Sequence, residues 1–77
     1  MEMHIDVHGM SVLEAQKTLE KTLASCPKHI TRLIVIHGHS HGDAIKHMVR
    51  DPNGLRSKKI LRRKPTKNPG ETILELV

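Results

Sequence analysis

Between Met3 and Val7 the apolar residues Met3, Ile5 and Val7 alternate with His4 and Asp6, and His8 continues the polar set. Side chains alternate across a strand, so this spacing predicts a strand with one covered and one open face. Ser11 then stands three residues before Glu14, the spacing of a capping box, and Val12, Ala15, Leu19 and Leu23 follow at helical intervals. A helix from Val12 to Ser25 is predicted, stopped by Pro27. Thr31 to His37 is an almost unbroken apolar run, the pattern of an interior, parallel strand. After the loop His39-Ser40-His41-Gly42, the residues Ala44, Ile45, Met48 and Val49 mark a second, shorter helix, and Pro52-Asn53-Gly54 turns the chain out of it. Lys58 to Arg63 places Ile60 and Leu61 in a basic strand, and Pro65 to Gly70 reads as a turn. In the last strand, Glu71 to Val77, Leu74 and Leu76 oppose Ile73, Glu75 and Val77. The final two strands therefore predict a hairpin.

The predicted order is β-α-β-α-β-β, two right-handed crossovers followed by a hairpin, with both helices on one face of the sheet. This is an α+β fold, a two-layer sandwich on a mixed four-stranded sheet whose other face is left open or meets a partner. Seventy-seven residues suffice for one domain, spanning 1–77, near the lower limit at which a core alone holds a fold together.

Composition narrows the function classes. The single cysteine, Cys26, excludes an internal disulfide, so packing supplies the stability and a reducing, cytoplasmic location is expected. No apolar stretch approaches the roughly 20 residues that span a bilayer, and the start lacks a signal-peptide core, so no membrane partner is expected. Phe, Tyr and Trp are absent, which excludes aromatic stacking platforms for single-stranded nucleic acid. The net charge of +5 is concentrated late in the chain: Arg56, Lys58, Lys59, Arg62, Arg63, Lys64 and Lys67 lie within twelve residues that hold no acid. So dense a run of one sign points to a polyanionic partner recognised through phosphates, against the plainer reading of a charged, aggregation-resistant edge strand.

Two apolar runs end in His-Gly, at His8-Gly9 and His37-Gly38. In an α/β arrangement both would reach the same edge of the sheet, where such folds hold their chemistry. Asp6 and His8 share a strand face, and a carboxylate beside an imidazole holds it in one tautomer for proton transfer near neutral pH. His37 is a second candidate for proton transfer or phosphate binding. The loop from Gly38 through Ser40, His41 and Gly42 opens a helix, so its amides can face an anion. Lys46 and Arg50 on that helix, Arg56 beyond it, and Lys58, Lys59, Arg62, Arg63 and Lys64 are candidate phosphate contacts. His37, His39 and His41 with Asp43 raise the question of a metal, but no HExxH or paired CxxC motif is present. No cofactor is indicated, and a divalent metal stays open. His4, His29 and His47 read as surface residues.

The chain resembles the Smr (small MutS-related) domain over almost its whole length. The family's LDLHG-like segment is matched by Ile5-Asp6-Val7-His8-Gly9 ahead of Glu14-Ala15, and its HGxGxG segment by His37-Gly38-His39-Ser40-His41-Gly42. Asn68-Pro69-Gly70-Glu71-Thr72-Ile73-Leu74-Glu75-Leu76 is similar to its final loop and strand. The resemblance implies a fold similar to the C-terminal domain of translation initiation factor three. It also implies binding to RNA or DNA and, in several members, endonuclease activity. The positions carried over are Asp6, His8, His37, Gly38 and Gly42. Ser40 departs from the middle glycine of HGxGxG, and His41 stands where the family often has Thr. The alternative implied function is a non-catalytic nucleic-acid- or ribosome-binding module.

Overall fold

The computed structural model describes residues 1–38 and 42–77. Its elements are β1 (Glu2–Asp6), α1 (Val12–Ser25), β2 (Arg32–Ile36), α2 (Ala44–Arg50), β3 (Ile60–Pro65) and β4 (Glu71–Leu76), in the expected order. The four strands form one sheet in the order β1-β2-β4-β3. β1 and β2 run parallel, and β4 runs antiparallel to both β2 and β3. β2 is thus interior, as its apolar run predicted, but parallel on one side only, because the returning hairpin strand inserts beside it.

One sheet face is packed by the helices. Leu33 and Val35 of β2 and Leu74 and Leu76 of β4 join Ala15, Leu19 and Leu23 of α1 and Met48 and Val49 of α2 in a single core, with Val7 and Leu55 sealing it. Each Leu or Val fully removed from water there contributes about 1.5–3 kcal/mol. The opposite face carries Ile34 opposite Ile73, flanked in register by His4 and Lys64. Ion pairs join Arg32 to Glu2 (3.1 Å) and Lys64 to Glu75 (3.2 Å) across neighbouring strands on that face. Being largely solvated, each contributes about 1 kcal/mol at most.

The capping box of α1 forms in both directions: Ser11 Oγ accepts from the Glu14 amide, and Glu14 Oε1 accepts from the Ser11 amide. At the other end of the helix Lys59 Nζ donates to the carbonyls of Ala24 and Cys26. Three details depart from the sequence pattern. Val12 is 38% exposed, so the buried stripe of α1 begins at Ala15. β3 starts two residues later than expected, because Lys58 and Lys59 form a turn and the register shifts between Ile60 and Arg62, leaving Leu61 exposed. Pro65, expected to open the turn, instead ends β3 opposite Thr72, since an edge strand tolerates a missing donor there.

Candidate functional site

Both His-Gly pairs mark the same corner, a strand end followed by a residue in the left-handed region. Gly9 has φ +80° and Gly38 φ +73°, conformations that a side chain disfavours. The two corners abut: a Cβ placed on Gly38 would lie 3.5 Å from His8 Cβ. The β3–β4 hairpin closes in from the other side. Gly70 O accepts from both the His37 and Gly38 amides, at 2.8 and 3.0 Å, and a Cβ on Gly70 would sit 3.3 Å from Gly38 Cα.

Asp6 and His8 lie on the open side of this junction, both exposed. Asp6 Oδ1 accepts from His8 Nδ1 at 2.5 Å and from the His8 amide at 3.0 Å. The side-chain bond to His8, helped by the amide bond, holds the Asp6 carboxyl below the usual carboxylate range. With Nδ1 committed to the carboxylate, Nε2 is the ring nitrogen left for a substrate, and a neutral ring carries its lone pair there.

His37 reaches the same end of the sheet, but its ring turns to the opposite, helix-packed side. It is 5% exposed. Its Nδ1 bonds Gly38 O and its Nε2 bonds Thr72 Oγ1, both at 2.8 Å. Arg50 Nε in turn donates to Thr72 Oγ1 at 2.9 Å. Burial, reinforced by the charges of Arg50 and Lys46, pushes the His37 pKa down, against opposing contributions from the Gly38 bond and Glu71. A depressed imidazole pKa gives stability that is present above the ordinary value of 6.5 and lost as pH falls below it. The melting temperature is therefore expected to fall between about pH 7.5 and 5.5 in the wild type and to fall less in His37→Gln, as followed by circular dichroism. Equal pH dependence in the two proteins would contradict this. The depressed carboxyls of Asp6 and Glu14 act in a lower window, below about pH 4.5.

The basic candidates divide into two groups. Arg50 serves Thr72 and the Glu71 carbonyl, Lys59 holds the end of α1, and Lys64 pairs with Glu75. Arg63 turns inward and donates to Val49 O (3.0 Å) and Leu55 O (2.5 Å), carbonyls at and beyond the end of α2. Arg56, Lys58, Arg62 and Lys67 are exposed and Lys46 is half-buried, and none pairs with an acid among the described residues. Arg63→Met is accordingly expected to lower stability by about 1–3 kcal/mol, because two buried carbonyls lose charged donors. Arg62→Met is expected to change stability by less than about 0.5 kcal/mol. Urea unfolding of both variants checks this, and equal midpoints would contradict it.

Gly42 and Asp43 are exposed, and the Asp43 side chain does not cap α2. Ser40 and His41, with His39 of the metal question, lie outside the described residues. Exposed His4, His29 and His47 match their expected surface placement. Thr72 and Gly70 were not among the candidates. Thr72 carried a signal, a hydroxyl at the same parity as Leu74 and Leu76, which requires a buried partner.

The family model described as the Smr domain matches residues 5–70. In the fold comparison, the crystal structure of the Smr domain of Thermus thermophilus MutS2 superposes with a TM-score of 0.73 at 22% identity, over 96% of each chain. No sequence among the curated proteins matches significantly.

Proposed function

We propose a function for this chain, which belongs to the Smr domain family: it binds RNA or DNA at the sheet end where His8 meets Gly38, and it cleaves a phosphodiester bond there. The observation that carries this reading is the exposed Asp6–His8 pair, whose carboxylate orients the ring and leaves Nε2 facing solvent. Asp6 orients His8, and His8 moves the proton to or from the attacking or leaving oxygen. Gly38, with Gly42, Ser40 and His41 in the same loop, would border the phosphate. Lys46 on α2 and Lys67 in the β3–β4 turn would hold the flanking backbone. Arg56 is on the α2–β3 connection, and Lys58 and Arg62 lie toward the other end of the sheet, where Ile60 is opposite Leu76 and Arg62 opposite Glu75. Arg50, Lys59 and Arg63 would act behind this surface, through the structure, while Lys64 is exposed but paired with Glu75.

A second reading is a binding module without cleavage. It is favoured by the burial of His37, both of whose ring nitrogens are engaged, so that it does not face His8 as a second proton-transfer group. Labelled RNA and DNA incubated with the protein, with and without chelator, decide between the two. Binding that weakens linearly in log–log form with salt, together with new cleavage products, supports the first reading. Salt-dependent binding without products supports the second, and no binding at any salt rejects both.

A further inference from the structure

The four groups Arg50, Thr72, His37 and Gly38 form a hydrogen-bond chain whose direction, with a neutral imidazole, is forced at every link. Arg50 Nε can only donate, so Thr72 Oγ1 accepts from it (2.9 Å), and the Gly38 carbonyl can only accept, so His37 Nδ1 carries a ring proton and donates to it (2.8 Å). In the neutral ring His37 Nε2 is then the acceptor, and Thr72 Oγ1 gives it its one hydrogen at 2.8 Å. The second arm of Arg50, donating to the Glu71 carbonyl at 3.3 Å, keeps the guanidinium from turning away. Gly38 is the residue that needs such control. Its φ of +73° and its lack of a side chain leave the peptide free to swing, yet its amide is tied to Gly70 O and its carbonyl to His37.

We propose that Thr72 is a positioning residue: held by Arg50, its hydroxyl donates to His37 Nε2, supports the Nδ1-protonated ring that the Gly38 carbonyl requires, and thereby holds the Gly38 peptide that packs against His8. This rests on the reading of that junction as the nucleic-acid site. Thr72 is fully buried and touches no substrate, so its effect passes through the ring. A core filler at the parity of Leu74 and Leu76 would be Val or Leu, and a hydroxyl there is costly unless its bonds are made. Protonating His37 would remove the acceptor that Thr72 needs. The charged groups around the ring are Lys46 and Arg50 on α2, which oppose protonation, and Glu71 on β4, which favours it.

The test has two arms, both on the full chain. Imidazole nitrogen NMR at about pH 7.5 is expected to show His37 protonated on Nδ1 in the wild type and in Thr72→Ser, and shifted toward Nε2 in Thr72→Val. Fluorescence anisotropy with a labelled RNA stem-loop and a DNA duplex is expected to show affinity about tenfold weaker in Thr72→Val, restored by Thr72→Ser. If Thr72→Val does not fold, Arg50→Gln removes the donor to Thr72 and is expected to move both readouts in the same direction. A wild-type ring protonated on Nε2 overturns the proposal. So does a Thr72→Val protein with the wild-type tautomer, or with a shifted tautomer and unchanged affinity. Failure of the wild type to bind either probe would instead reject the proposed function, while the ring nitrogens still report whether Thr72 supports the tautomer.

Discussion

His8→Ala is expected to lower the phosphodiester cleavage rate by about 10²–10⁴-fold, the range that a positioned proton-transfer group supplies. The imidazole is exposed and outside the core, so the melting temperature is expected to stay close to wild type, and loss of rate would not reflect loss of fold. Asp6→Asn makes a sharper case. The neutral amide keeps the shape of the carboxylate, and because the oxygen facing Nδ1 also accepts from the His8 amide, oxygen and not nitrogen stays there. The tautomer is kept, but the negative charge that stabilises the protonated ring is lost. A loss of about 10–100-fold follows for this variant, with nucleic-acid affinity changed by less than about threefold. Cleavage is followed by gel, and binding by anisotropy at matched salt. Wild-type rates in both variants would remove His8 from the chemistry and assign the proton transfer to another group.

The first half of this site was legible because β1 alternates. With Met3, Ile5 and Val7 on one face, Asp6 and His8 fall together on the other, and their bond follows from spacing alone. The second half was not, because β2 is apolar on both faces. Leu33 and Val35 point to the helices while Ile34 and Ile36 point away, and a run without polar residues does not say which set does which. His37 shares the parity of Val35, so its ring goes to the helix side and not to the face of His8. The two His-Gly pairs therefore meet through Gly38 and the His8 stem, not ring to ring. The basic run presented a related difficulty. Charge density marks a positive surface, but the inward turn of Arg63 depends on where the carbonyls beyond α2 end up, and that is set by tertiary packing. The α1 helix needed no such context, since its cap and apolar spacing are local.

Gly54→Ala is expected to destabilise the fold by about 1–3 kcal/mol, the range for forcing extra volume into a packed site. A Cβ on Gly54 would lie 2.5 Å from Met48 O and 3.0 Å from Met48 Cα, and both are backbone atoms that cannot rotate aside. Gly54 lacks the left-handed φ of Gly9, Gly38 and Gly42, so the cost is steric and not conformational. Relief would require the turn to move off α2. That would stretch the bond from the Leu55 amide to Met48 O (3.0 Å) and the bond from Gln16 Nε2 to Gly54 O (2.6 Å), which ties α1 to the same turn. Leu55 is fully buried and its carbonyl receives Arg63, so the displacement would pass from the core to β3. For a chain of this size each kcal/mol lowers the melting temperature by about 4–8 °C. The chain has no Trp or Tyr, so far-UV circular dichroism reads the transition. Gly42→Ala is the control: nothing among the described residues lies within 4 Å of its Cβ, and its cost of about 1–2 kcal/mol comes from a φ of +99°. If Gly54→Ala melts within about 2 °C of wild type, the turn yields without straining Leu55, and the packing of α2 against it contributes little to stability.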